Sequence, residues 1–250
     1  MAACSFQSIW SRLAAEDLAA EKAEAAEIIN RAELVSEQAL INKIPFYVCG
    51  LSRRPILPLR SAVLADEQLL IVALSNVNYS DANPLHWELL CSIYKFIVDS
   101  GSVILRYGNH WQKVGFQGND PTSDLKGVGL FGLCQLLFLV SNGLSFQMTS
   151  QISELSNDKV QNFPLAVVGL NFTQFILERV KSGKLNNLAT KEGSFISVVN
   201  GIYRGCFITF FRIWKSRDCT ILDLSTVVEE IKEMVKRRPK YLLNMAVLRQ

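Results

Sequence analysis

Six residues between Trp111 and Lys126 offer most of the chemistry this sequence holds: Trp111, Phe116, Gln117, Asp120, Asp124 and Lys126. Lys126 is the cation. It stands where a polar loop gives way to an apolar helix, and a helix N-terminus disfavours a positive charge by about half a kcal/mol. A lysine held against that preference points to a role; the plainer alternative is a solvated side chain. Gln117 can orient a water molecule or, as loop glutamines mostly do, satisfy the backbone. Asp120 and Asp124 suit turn and cap positions, ahead of contact with Mg²⁺ or a partner. Trp111 and Phe116 suit anchors of the loop on a core, whereas an exposed tryptophan would be a partner hot spot.

Other chemistries find no support. The run Gly127-Val128-Gly129-Leu130-Phe131-Gly132 is not a phosphate loop, because it lacks the spaced Gly-Lys-Ser/Thr ending and follows no strand. No Ser/His/Asp or Cys/His set has convincing spacing. There are 2 histidines and 6 cysteines, with no CxxC pair, so metal-ligand spacing is absent. Neither a metal nor a cofactor is expected. His86 lies beside a capped helix start, a structural position. Cys134 and Cys206 sit in apolar runs and read as buried thiols.

The element that must position the six residues runs from Gly108 to Val140. Gly118-Asn119 and Asp120-Pro121 are turn signals, and Thr122, Ser123 or Asp124 can cap the helix after them. From Lys126 the pattern is helical. Gly127, Gly129 and Gly132 cost roughly 1 kcal/mol each relative to Ala, which close packing of other backbone would offset. Leu130, Phe131, Leu133, Leu136, Leu137, Phe138 and Val140 make the helix apolar nearly all round. This predicts the buried central helix of a bundle, its positive end and one lysine facing whatever lies beyond the loop.

The same stretch resembles the signature of the ELMO (engulfment and cell motility) domain family: Trp-x3-Gly-Phe-Gln-x3-Pro-x-x-Asp-hydrophobic-Arg-Gly-x-Gly, then a leucine-rich helix. Here it reads Trp111, Gly115, Phe116, Gln117, Pro121, Asp124, Leu125, Lys126, Gly127, Gly129 and Leu130 through Phe138. Weaker echoes are Asn162-Phe163-Pro164, Asn171-Phe172-Thr173, Val198-Val199-Asn200 with Tyr203, and Tyr241-Leu242-Leu243. Asn109-His110 and Leu125 are most similar to the family's third animal paralogue. The resemblance implies an all-α fold and a regulator of Arf/Arl-family small GTPases, GTPase-activating in character. In that family the motif arginine is held to be catalytic. This sequence has Lys126 there, which implies weakened or lost activity; the alternative is a non-catalytic GTPase-binding adaptor or scaffold. Lys126 is then the catalytic candidate. Trp111, Phe116, Gln117, Asp120 and Asp124 are the partner-binding candidates.

Composition sets the frame. A chain of 250 residues, 49% hydrophobic and 20% charged, is globular and long enough for one real core. A net charge of +3 does not argue for nucleic acid. The longest apolar run falls short of the roughly 20 residues that span a bilayer, and no secretory signal is visible. A cytoplasmic protein is expected, reaching membranes or cytoskeleton only through partners. Arg237-Arg238-Pro239-Lys240 is too short a basic run to carry a membrane-surface reading.

About eight or nine helices are predicted in one domain, with an N-terminal arm. Ser8 to Asn42, rich in Ala and Glu, reads as one long helical arm, open to a helical partner. Between Leu18 and Ile28 it has nothing apolar larger than Ala, so residues up to about Ala39 are expected to be dispensable for folding. Pro45 to Pro58 reads as an extended linker with Arg53 and Arg54 solvated. Helices follow at Ser61–Leu74, from Pro84 with Asn83 as cap, at Lys126–Val140, Ser145–Asp158, Pro164–Ser182 and Phe195–Trp214, from Asp223 or Ser225 to Lys236, and from Pro239. The expected organisation is all-α: an arm over 1–44, a linker and short helix over 45–83, and a single multi-helix ELMO-like domain over 84–250.

Overall fold

The computed structural model describes residues 2–41, 58–98, 101 and 103–247. Within them the chain forms eleven α-helices and no strand. They are α1 (Phe6–Ala14), α2 (Ala19–Ile41), α3 (Ala62–Asn76), α4 (Pro84–Val98), α5 (Gly129–Phe138), α6 (Phe146–Ser156), α7 (Leu165–Lys181), α8 (Asn186–Glu192), α9 (Phe195–Ser216), α10 (Leu224–Arg237) and α11 (Pro239–Val247). Short 3-10 turns at Asn109–Lys113 and Pro121–Leu125 lie between α4 and α5. Local chemistry sets several of the starts. Ser5, Ser61, Ser145 and Ser194 each accept a backbone N–H with the side chain. Asn83 accepts from Leu85 N–H at 2.9 Å with Pro84 in the first turn of α4.

α5 is the expected central helix. Leu130, Phe131, Leu133, Leu136 and Leu137 are fully buried, against α1, α3, α4, α7 and α9. Its boundary differs from the expected one. Lys126 and Gly127 stay outside the helix, with ψ 123° at Lys126 and φ +87° at Gly127. The reason is nonlocal. At Gly129 an added Cβ would stand 2.6 Å from the Ser75 carbonyl oxygen and 2.7 Å from that of Val77, and Leu130 N–H donates to Val77 O at 3.0 Å. The N-terminus of α5 abuts the C-terminus of α3, so the carbonyl-rich end of one helix meets the amide-rich end of the other. The positive end of α5 is therefore occupied by the protein itself.

The N-terminal region corrects a second expectation. It is two helices, broken at residues 15–18, where Asp17 accepts from Ala19 N–H. The first is not peripheral: Ile9 and Leu13 are at most 1% exposed and Phe6 is buried too, and beyond it Leu18 in the break and Ala25 of α2 are also buried. Phe6 meets Phe138 edge-on at 5.4 Å, and Phe6 N–H donates to Ser141 Oγ. Removing this segment would uncover α5, so dispensability is overturned. A third correction is α8, whose first two residues fall in the expected loop 182–187. With the split arm it brings the count among the described residues to eleven. The linker reading of 45–57 lies outside the described residues. Among the described residues no single helix is long and apolar enough to cross a membrane.

Candidate functional site

The segment from Val103 to Val128 is built around Trp111. Its ring is fully buried, edge-on to Tyr94 at 5.3 Å, Phe116 at 6.0 Å and Trp87 at 6.4 Å. Its indole N–H donates to Arg106 O at 3.1 Å. Phe116 is buried beside it. Gly115 has φ +89°, and a Cβ there would stand 2.2 Å from Leu165 N. This close approach lets the carbonyls of Val114 and Gly115 accept from Ala166 and Val167 N–H at 3.1 and 3.2 Å. Two orphan amides in the first turn of α7 are thereby satisfied by the loop.

The second half of the loop is pinned by side chains. Asp120 caps the 3-10 turn, accepting from Thr122 N–H at 2.9 Å and from its hydroxyl at 2.8 Å. The same carboxylate oxygen accepts from Arg106 Nη1 at 2.9 Å. Arg106 also pairs with Asp81 and lies over the rings of Tyr79 and Tyr107 at 4.7 and 4.5 Å. Asp124 Oδ2 accepts from Gln117 N–H at 2.6 Å, which folds the 115–118 turn back onto the 3-10 turn.

Lys126 comes next, exposed and with no hydrogen-bond or ion-pair partner among the described residues. It lines a concavity of about 250 Å³. Gln117, Ser123, Asp124 and Val128 form the loop side. Val167, Leu170, Asn171 and Gln174 of α7 form the other. A larger open depression elsewhere has its described lining on α10 alone and includes none of the six candidates.

Residues 69–228 match the ELMO/CED-12 family. The chain belongs to the ELMO/CED-12 family. ELMO domain-containing protein 3 of Mus musculus is 32% identical over 180 residues, 72% of this chain and 47% of that protein. Its Homo sapiens counterpart is 30% identical over the same shares. ELMO domain-containing protein B of Dictyostelium discoideum is 25% identical over 162 residues, 64% of this chain and 56% of that protein. The chain spans about half the length of the curated relatives it matches. No solved structure gives a significant match.

Within this ELMO domain the six candidates divide. Gln117, Asp124 and Lys126 meet at the concavity. Asp120 stands behind it, holding Arg106. Trp111 and Phe116 are internal, so the partner-binding reading of these two is corrected: a ring with no exposed surface anchors the loop and offers nothing to a partner. The two aspartates feel opposite fields. Burial alone would raise the Asp120 carboxyl, but hydrogen bonds from Thr122 and Arg106 outweigh it and hold it below its ordinary value. Burial pushes the Asp124 carboxyl up despite the Gln117 N–H bond, and Asp120 adds repulsion.

Two contributors were missed from sequence. Arg106 gave no signal, because its partners Asp81 and Asp120 lie 25 and 14 residues away. Asn171 was in view only as a weak motif echo. His86 is structural, as expected. It is buried, its Nδ1 accepts from Ser80 N–H at 3.0 Å, and burial lowers its pKa against the pull of Glu16. Cys134 and Cys206 are buried free thiols, pushed up by desolvation. Among the described residues no three His, Cys, Asp or Glu side chains are grouped to hold a metal.

Proposed function

We propose that this ELMO domain regulates an Arf/Arl-family small GTPase, binding it through residues 117–126 with Lys126 directed at the bound nucleotide. The observation that carries this reading is an exposed lysine with no partner among the described residues of its own chain, at the rim of a concavity shared with Gln117 and Asp124. In phosphoryl transfer, charge spreads over the phosphoryl oxygens, and a guanidinium supplied in trans is worth about 10³ to 10⁵ in rate. Arginine does this through a planar fork that donates to two oxygens. Lys126, at the motif's arginine position, brings the charge without the fork. The expected outcome is binding with weak stimulation of hydrolysis. Gln117 stands beside it to order a water, its backbone fixed by Asp124. In this reading the chain works in the cytoplasm and reaches membranes or cytoskeleton through its partner.

A second reading is a non-catalytic adaptor on the same face. It is favoured by the lack, among the described residues, of any side chain that holds Lys126 in place before binding, since catalysis by one cation depends on preorganisation. A panel of Arf-family GTPases, tested GTP-loaded and GDP-loaded for binding to the chain, examines both. Preference for the GTP form supports a GTPase partner, and binding to none of them rejects it.

A further inference from the structure

α7 forms a wall of the concavity, and it is tied to the loop at more than one level. Its first amides donate to Val114 and Gly115 carbonyls. Lower down, Leu170 closes on α5 at Gly132, where a Cβ would stand 2.7 Å from Leu170 Cδ2. The next polar positions on this side are the half-buried Asn171 and the exposed Gln174, three residues apart and therefore on one face. Both line the concavity with Lys126. Asn171 Nδ2 donates to Val167 O at 3.0 Å, which leaves its Oδ1 to accept from elsewhere. Gln174 is exposed, and its amide engages no described residue. A directional acceptor, a free amide and an unpaired cation thus share one depression.

We infer that Asn171 and Gln174 are the specificity-determining half of the partner contact. They hydrogen-bond a polar segment of the GTP-loaded GTPase, while Lys126 meets the charge of its nucleotide. This inference rests on the GTPase reading of the site. A lone lysine attracts any anion without selecting among them. Directional hydrogen bonds reject a partner that leaves them unpaired, and that difference sets specificity. The division of labour also fits the bracing of the wall against the loop: the backbone positions of Asn171, Gln174 and Lys126 keep fixed separations because α7 and the loop are one unit.

The test is the affinity of the full chain for Arf-family GTPases loaded with a non-hydrolysable GTP analogue. Wild type is compared with Lys126→Ala, Gln174→Ala and the double variant Asn171→Ala/Gln174→Ala, and each variant's thermal midpoint is recorded. The double variant should bind about 10-fold more weakly and Gln174→Ala about 3-fold more weakly. Lys126→Ala should stay within about 2-fold of wild type, because its charge acts mainly on the transition state. Gln174→Ala, at an exposed site, should keep the wild-type midpoint, so its weaker binding is not a folding defect. If the double variant loses its fold, Gln174→Ala alone decides. Wild-type affinity in the alanine variants overturns the inference and leaves the GTPase reading standing. Failure of the wild type to bind any GTPase overturns both.

Discussion

The two halves of the loop that precedes α5 differ in composition and do opposite jobs: Trp111, Val114 and Phe116 make the first half rich in large apolar residues, and the second is mostly polar. From Trp111 to Phe116 the key side chains are internal, and the backbone is spent capping α7. From Gln117 to Lys126 four residues, Gln117, Ser123, Asp124 and Lys126, line a concavity, and the bonds of this half are mostly local. Glycines make the same point. Gly115 and Gly127 have nearly the same φ, +89° and +87°. A Cβ at Gly115 would strike the backbone of α7, whereas at Gly127 nothing lies within 4 Å. A motif with fixed spacing therefore mixes scaffold and contact residues, and only burial separates them.

The largest effect expected on this comparison is in the anchored half. Trp111→Ala should destabilise the fold by about 3–5 kcal/mol in denaturant titration; a loss under about 1 kcal/mol would mean that the ring is not an anchor. Gly115→Ala and Gly127→Ala come next. Both force a left-handed φ on a residue with a Cβ, at about 1–2 kcal/mol. Only Gly115→Ala must also displace α7, so it should cost clearly more. Equal losses would erase the distinction between the halves.

Smaller effects come from pH. The Asp120 carboxyl is held low, so its stabilisation is present above its unfolded pKa of about 3.9 and is lost as pH falls through the lower folded value. The Asp124 carboxyl is raised. Its effect has the other sign: stability falls as pH rises from the unfolded value through the raised folded one. Asp120→Asn should thus weaken the loss of stability in acid, and Asp124→Asn should remove a penalty at neutral pH. The same direction of change from both substitutions, in stability followed against pH, would contradict these environments.

Much of this was legible in the sequence. Helix positions followed from apolar periodicity and caps, and α5 declared its burial by being apolar on every side. What stayed hidden was nonlocal. The start of α5 depends on carbonyls of α3, which no window around Lys126 contains. Arg106 sits between Leu105 and Tyr107 in a segment without periodicity, and its role exists only once Asp81 arrives. α1 was readable and overlooked. Phe6, Ile9, Trp10 and Leu13 have the spacing of an apolar helical face, but the Ala- and Glu-rich sequence behind them dominated the expectation of a free arm. α7 reads as a helix from its periodicity, but its place as a wall of the site depends on loop carbonyls, distant in sequence, that cap it: Val114 to Ala166 and Gly115 to Val167.

The most direct measurement of the central claim is single-turnover GTP hydrolysis by an Arf-family GTPase that binds the chain, with wild type, Lys126→Arg and Lys126→Ala compared at saturation. All three should fold alike, within about 0.5 kcal/mol, because the Lys126 side chain is exposed and has no partner among the described residues. The account expects weak stimulation by wild type, a higher rate with Lys126→Arg as the fork is restored, and none with Lys126→Ala. Stimulation by Lys126→Ala equal to that of wild type would remove Lys126 from the mechanism.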